Sequence, residues 1–189
     1  MTASVLKAAN PIFMLLTALV LVSLQTSIFN SYPLLYFQPD TLLISIIWLA
    51  IRRPFIEGGI LCLIFSNIAE LHSSAPQGLH FICNMMIFLM IHASAKYFMF
   101  QNLKSYVGLA LVSSVLWQLF HLLILYFLGI LGEQWRHTLA LMFPSAAIAG
   151  ITSIFIFRFY EKLDWITFKN PKAKHAQDEL ILDSEGWVE

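Results

Sequence analysis

Charge is what this sequence has least of. Only 12% of its 189 residues are Asp, Glu, Lys or Arg, roughly half of what a soluble domain carries. Hydrophobic residues make up 59%, and the mean hydropathy is +0.75, which excludes an ordinary water-soluble fold. The formal net charge is zero and no basic stripe is present, so the electrostatic footprint of a nucleic-acid binder is missing. Cysteine is nearly absent too. Cys62 and Cys83 lie inside apolar runs, without the spacing of a metal site or a disulfide framework, and read as small core residues. Catalytic signatures are also missing: no HExxH, no GxSxG, no P-loop and no glycine-rich phosphate cradle. No catalytic residue, cofactor or metal ligand is expected.

Long apolar runs dominate what is there. A bilayer core about 30 Å thick takes roughly 20 apolar residues per helix. Five stretches fit: 11–28, 55–71, 78–95, 107–131 and 138–157. A sixth, 34–51, is interrupted by Pro39 and Asp40, and the part after Pro39 is too short to cross alone. It reads as a short or broken span whose irregular backbone is covered by protein or water. The first stretch follows Lys7 as a secretory signal would, but it is long for one and lacks a small-residue cleavage pattern, so it reads as a retained helix. The expected fold class is an all-α membrane protein with six transmembrane helices, the second one short or broken. Residues 1–160 form the membrane domain and 161–189 a cytoplasmic polar tail.

The eleven Lys and Arg residues set the orientation. With the N-terminus in the cytoplasm, Lys7, Arg52, Arg53, Lys96, Lys104, Arg158, Lys162, Lys169, Lys172 and Lys174 fall inside, and only Arg136 falls outside. Five spans would strand Arg52 and Arg53, so the same count supports the doubtful second span and puts both termini on the cytoplasmic side of the membrane. In the tail, the basic half suits anionic lipid headgroups. The acidic half, with Asp178, Glu179, Asp183, Glu185 and Glu189, reads either as solvated chain or as a docking peptide around 180–182 and Trp187.

Polar groups within apolar helices are costly and mark candidate sites. In the third helix Gly58, Gly59, Cys62 and Ser66 form a small-residue stripe that ends in Glu70. Such stripes let backbones approach closely. Glu70 sits at a helix C-terminus, where an anion is disfavoured. Its expected compensation is the start of the next helix near Gly78, through backbone N–H groups with His72 or His80; the alternative is a wet interfacial charge. His80, Asn84 and His92 line one side of the fourth helix, and Ser114, Gln118 and His121 one face of the fifth. Asn84, Gln118 and His121 are expected in hydrogen bonds between helices. Ser145, Ala149 and Ser153, with Ala146 and Gly150, give the sixth helix a packing face, and Pro144 marks a kink. Phe88 and His92 match an FxxxH spacing known in one class of intramembrane proteases, but the accompanying glutamates are missing.

The run 37–103 resembles the rod shape-determining membrane protein MreD family. The resemblance rests on a Phe-x-Pro entry to a short second helix (Phe37, Pro39) and on a proline-containing loop (Pro54). It rests further on a third helix with Gly58 and Gly59 that ends in an acid (Glu70), and on Gly78 eight positions later. FQNL at 100–103 also looks like the family's cytoplasmic loop. The acid is usually Asp, and Ser66 stands where a glycine is usual. The resemblance implies a non-catalytic subunit of the bacterial elongation machinery in the inner membrane. Its implied partners are a single-span coiled-coil protein of the MreC type and, through it, MreB and the peptidoglycan synthase pair. The alternative is the substrate-binding subunit of an energy-coupling vitamin transporter, which would need a polar, aromatic-lined outer pocket from residues such as Glu70, His72, His80, Gln118 and Trp135.

Overall fold

The computed structural model describes residues 2–28, 39–73, 75–95, 103–132 and 134–167. Among these it has six helices and no strand: α1 (Thr2–Ile28), α2 (Thr41–Arg52), α3 (Phe55–Leu71), α4 (Leu79–Ser94), α5 (Leu103–Phe127) and α6 (Gln134–Ile166). Three segments are long and apolar enough to cross a membrane, Ala9–Ile28, Ser105–Phe127 and Thr138–Ile166. They point to a membrane protein. Ile12, Leu16 and Val20 on α1, and Phe143, Ile151 and Phe155 on α6, are more than half exposed, a surface suited to lipid and not to water.

The second helix is short, as its interrupted sequence implies. Its twelve residues rise about 18 Å, well under a bilayer core. Residues 34–38 of the expected span lie outside those described. All residues from Thr41 to Ala50 are buried, and α2 touches each of the other five helices. A helix that is apolar all round belongs in an interior, and α2 fills the middle of this bundle. Its first N–H groups, which a helix cannot satisfy itself, have side-chain acceptors. Asp40 Oδ1 caps Leu43 N at 2.9 Å, and Gln25 Oε1 of α1 takes Thr41 N at 3.2 Å and Thr41 Oγ1 at 2.6 Å. Midway, the Tyr160 ring of α6 packs at a tilt on Trp48, centroids 5.1 Å apart, and donates its hydroxyl to Ser45 Oγ at 3.0 Å.

Successive helices run in opposite directions. Glycine shapes two of the contacts between them. A methyl group on Gly58 of α3 would come within 3.1 Å of the Phe88 ring on α4, and one on Gly150 of α6 within 3.0 Å of Leu111 on α5. Gly129 closes α5: at φ +70 it lets Ile130 N reach Leu125 O and its own N reach Tyr126 O, the paired bonds of a Schellman stop. Pro144 lies inside α6, which continues past it.

One boundary differs from expectation. The sixth span was expected to end at 157 with a polar tail from 161, yet α6 runs on to Ile166. The buried residues Phe157, Tyr160, Asp164 and Thr167 keep the helical spacing of one inward face, so the polar residues between them sit on the other side of a continuing helix. The tail beyond 167 lies outside the described residues.

Candidate functional site

Polar side chains gather at the two ends of the bundle. At the first end, the start of α1 meets the α2–α3 corner and the end of α6. Asp164 is fully buried and Arg53 is 2% exposed. Arg53 Nη2 lies 2.5 Å from Asp164 Oδ1 and 2.7 Å from Asn10 Oδ1. Asn10 Nδ2 in turn donates to Asp164 Oδ1 at 2.9 Å and Thr167 Oγ1 at 2.6 Å. The Arg53 guanidinium also faces the Trp48 ring at 5.0 Å, and its Nε lies 3.6 Å from Glu57 Oε1. Beside this knot, Arg52 pairs with Glu161 at 3.1 Å near the surface. Arg53, expected only as a charge on the cytoplasmic side, is the centre of a buried network. Asp164 Oδ2 has no hydrogen-bond partner among the described residues, so the network is tight on one carboxylate oxygen only.

At the opposite end, Glu70 finds its compensation in the backbone. Its carboxylate accepts from Gly78 N through Oε1 and from Phe81 N at 3.3 Å through Oε2. An acid at the C-terminus of α3 thus caps the N-terminus of α4, where the helix dipole favours it. Gly78 takes φ +88 there, a conformation that glycine adopts without a side-chain clash. The two histidines are not partners of Glu70: His72 Nδ1 bonds Ile68 O at 2.9 Å, and His80 Nε2 bonds Ser73 Oγ at 2.7 Å.

The remaining candidates fall in place around these ends. Pro39 supplies the carbonyl for Thr41 N at 3.0 Å, and Pro54 is the N-cap of α3, accepting Gly58 N at 2.8 Å. Gly58 and Gly59 lie against Phe88. Ser66 is buried one turn from Cys62, whose thiol approaches Asn84 O at 3.8 Å. Asn84 Oδ1 accepts Trp117 Nε1 of α5 at 2.8 Å, and Gln118 Nε2 donates to Ser145 Oγ of α6 at 2.6 Å. His121 lies edge-on to His80 at 6.1 Å, but its Nδ1 is buried without a partner among the described residues, so it does not make the expected bond to one of them through that atom. Among the described residues no three His, Cys, Asp or Glu side chains gather as a metal site.

Between the ends of α1 and α3 and the starts of α2 and α4 lies a half-open cleft of about 390 Å³. Gln25, Thr26, Asp40, His72, Ser73, His80 and Asn84 make most of its wall, and Val22, Leu42 and Ala69 the rest. Of the five residues expected in an outer pocket, His72 and His80 line it. Glu70 is turned to α4, Gln118 to Ser145, and the Trp135 ring lies under the Arg136 guanidinium at 5.3 Å. Sequence reasoning missed Asn10, Gln25 and Asp164. The signal for Asp164 was its place in the spacing 157, 160, 164, 167. Asn10 and Gln25 stand at the edges of an apolar run and had none.

Comparison with family models, with curated proteins and with solved structures finds no match to this chain.

Proposed function

We propose that this chain is a non-catalytic, multi-pass subunit of the bacterial inner membrane that serves cell-wall elongation, of the MreD type. One observation carries the reading. The acid and the glycine eight positions later, on which the resemblance rests, are joined by the Glu70–Gly78 hydrogen bond, and the paired glycines Gly58 and Gly59 lie against Phe88. The spaced residues of 37–103 thus have physical roles in one corner of the bundle. A centre filled by α2 also suits a scaffold better than a carrier, because a carrier needs room at its midplane. The proposed topology is six spans with both termini inside. The arginines at the C-terminal end of α2, grouped with the end of α6, support it, as does Arg136, the one described arginine at the other end.

In this reading the partner is a single-span coiled-coil protein of the MreC type, with MreB and the peptidoglycan synthase pair reached through it. Depleting the chain from a rod-shaped host is expected to give rounded cells, and gentle purification to recover the single-span protein. The vitamin-transporter reading is favoured by the polar cleft alone, and among the described residues no Phe, Tyr or Trp lines that cleft. A retained vitamin and two ATPase subunits in the pull-down, with normal cell shape on depletion, would replace the first reading by the second.

A further inference from the structure

We propose that the cleft at the Asp40 end binds a small organic ammonium compound carrying a second hydrogen-bonding group. The proposal stands apart from the elongation reading, since it needs only the cleft. Among the described residues Asp40 is the one carboxylate on its wall, and no Lys or Arg among them pairs with it. Arg136, the one described arginine at this end, lies over Trp135. His80, on the same wall, is the basic side chain that answers Asp40 electrostatically, and no described Lys or Arg joins it.

The neutral groups favour a donor as ligand. His72 Nδ1 lies 2.9 Å from the Ile68 carbonyl, so in the neutral ring that nitrogen carries the proton and Nε2 is an acceptor. Thr26 Oγ1 donates to Val22 O at 3.0 Å, which leaves its lone pairs as acceptors. An ammonium group brings three N–H donors and a positive charge, matching Asp40 with such neighbours. Donors are fewer. Asn84 takes Trp117 through Oδ1 and keeps its amide NH₂ without a partner among the described residues, suited to a hydroxyl or carbonyl on the ligand. Size argues against a bare metal cation. At about 390 Å³ the cleft holds roughly a dozen water volumes of about 30 Å³ each, so an ion alone would leave most of it wet. Val22, Leu42 and Ala69 offer a short apolar wall for the carbons between the two polar groups.

The test compares 4-aminobutan-1-ol with butane-1,4-diol, which differ by one group, on the full chain in detergent micelles. Thermal unfolding is followed with each compound and with sodium chloride at matched ionic strength. The amino alcohol is expected to raise Tm saturably, and the diol and the salt to leave it unchanged. Asp40→Asn keeps a capping oxygen for Leu43, because Asn and Asp cap equally well, but removes the charge. It is expected to weaken the effect about tenfold, or about 1.4 kcal/mol. An equal shift from the diol or the salt, an unchanged shift in Asp40→Asn, or no shift from the amino alcohol up to about 10 mM overturns the proposal.

Discussion

Asp164 receives Arg53 and Asn10 through a single oxygen while its other oxygen stays buried and, among the described residues, unpartnered. Such a pair is costly to break and weak as a source of stability. Removing one member strands the other charge, for about 3–5 kcal/mol. Asp164→Ala is therefore expected to lower unfolding stability in micelles by about 3 kcal/mol, towards the low end of that range because Asn10 and Glu57 still face Arg53. The double replacement Arg53→Met with Asp164→Leu should recover most of the loss. Equal stability of Asp164→Ala and the parent would show that the pair is not desolvated. Glu70 is a different case, since its partners are backbone. Glu70→Ala leaves Gly78 N and Phe81 N without their acceptor, at about 1 kcal/mol for a lost cap, whereas Glu70→Asp keeps the charge. On the proposed function, a strain carrying the aspartate should keep its rod shape and one carrying the alanine should lose it. Normal shape with alanine would leave the cap without a functional role.

Between elements, the two neighbouring glycines of α3 separate packing from propensity. A methyl group on Gly59 meets the Phe88 ring at 3.9 Å, an ordinary contact, whereas one on Gly58 meets it at 3.1 Å and Arg53 Cβ at 3.3 Å. Gly-to-Ala in a helix gains up to about 1 kcal/mol from propensity, and overpacking a tight site costs about 1–3 kcal/mol. Gly59→Ala is thus expected to be neutral or stabilising and Gly58→Ala destabilising; reversed unfolding midpoints would show that the α3–α4 contact is looser than drawn. The elements themselves were legible in the sequence to a useful degree. Phe55–Leu71 matches its apolar run at both ends, and the stop at Pro39 and Asp40 marked the short α2, because a proline lacks the N–H of a continuing helix. The Glu70–Gly78 link was legible from a carboxylate at a helix end that needed compensation. The Arg53–Asp164 tie was not, because its members are 111 positions apart and local patterning carries no information about such a pair. The cleft was only half legible, since Gln25 and Asp40 line it from the ends of different elements, a pairing that apolar periodicity does not describe.

For the whole molecule, the proposed six-span topology is checked by cysteine labelling. Cys62 and Cys83 are both fully buried, so their background should be low. Probes at positions 75 and 132 should react from outside sealed cells and one at 102 should not; labelling at 102 would refute the arrangement. The Arg53–Asp164 tie also sets an order of events during biosynthesis. At about 5–20 residues per second, the ribosome reaches Asp164 some 5–20 s after Arg53. Glu57, one helical turn on and 3.6 Å away, emerges almost at once and can shield the guanidinium in the interval. A nascent chain released before the last helix would hold an arginine whose final counter-charge never arrives, and α2, too short to anchor itself, would be left without α6 to enclose it. Membrane quality-control proteases would therefore find truncated copies easy to tell from finished ones.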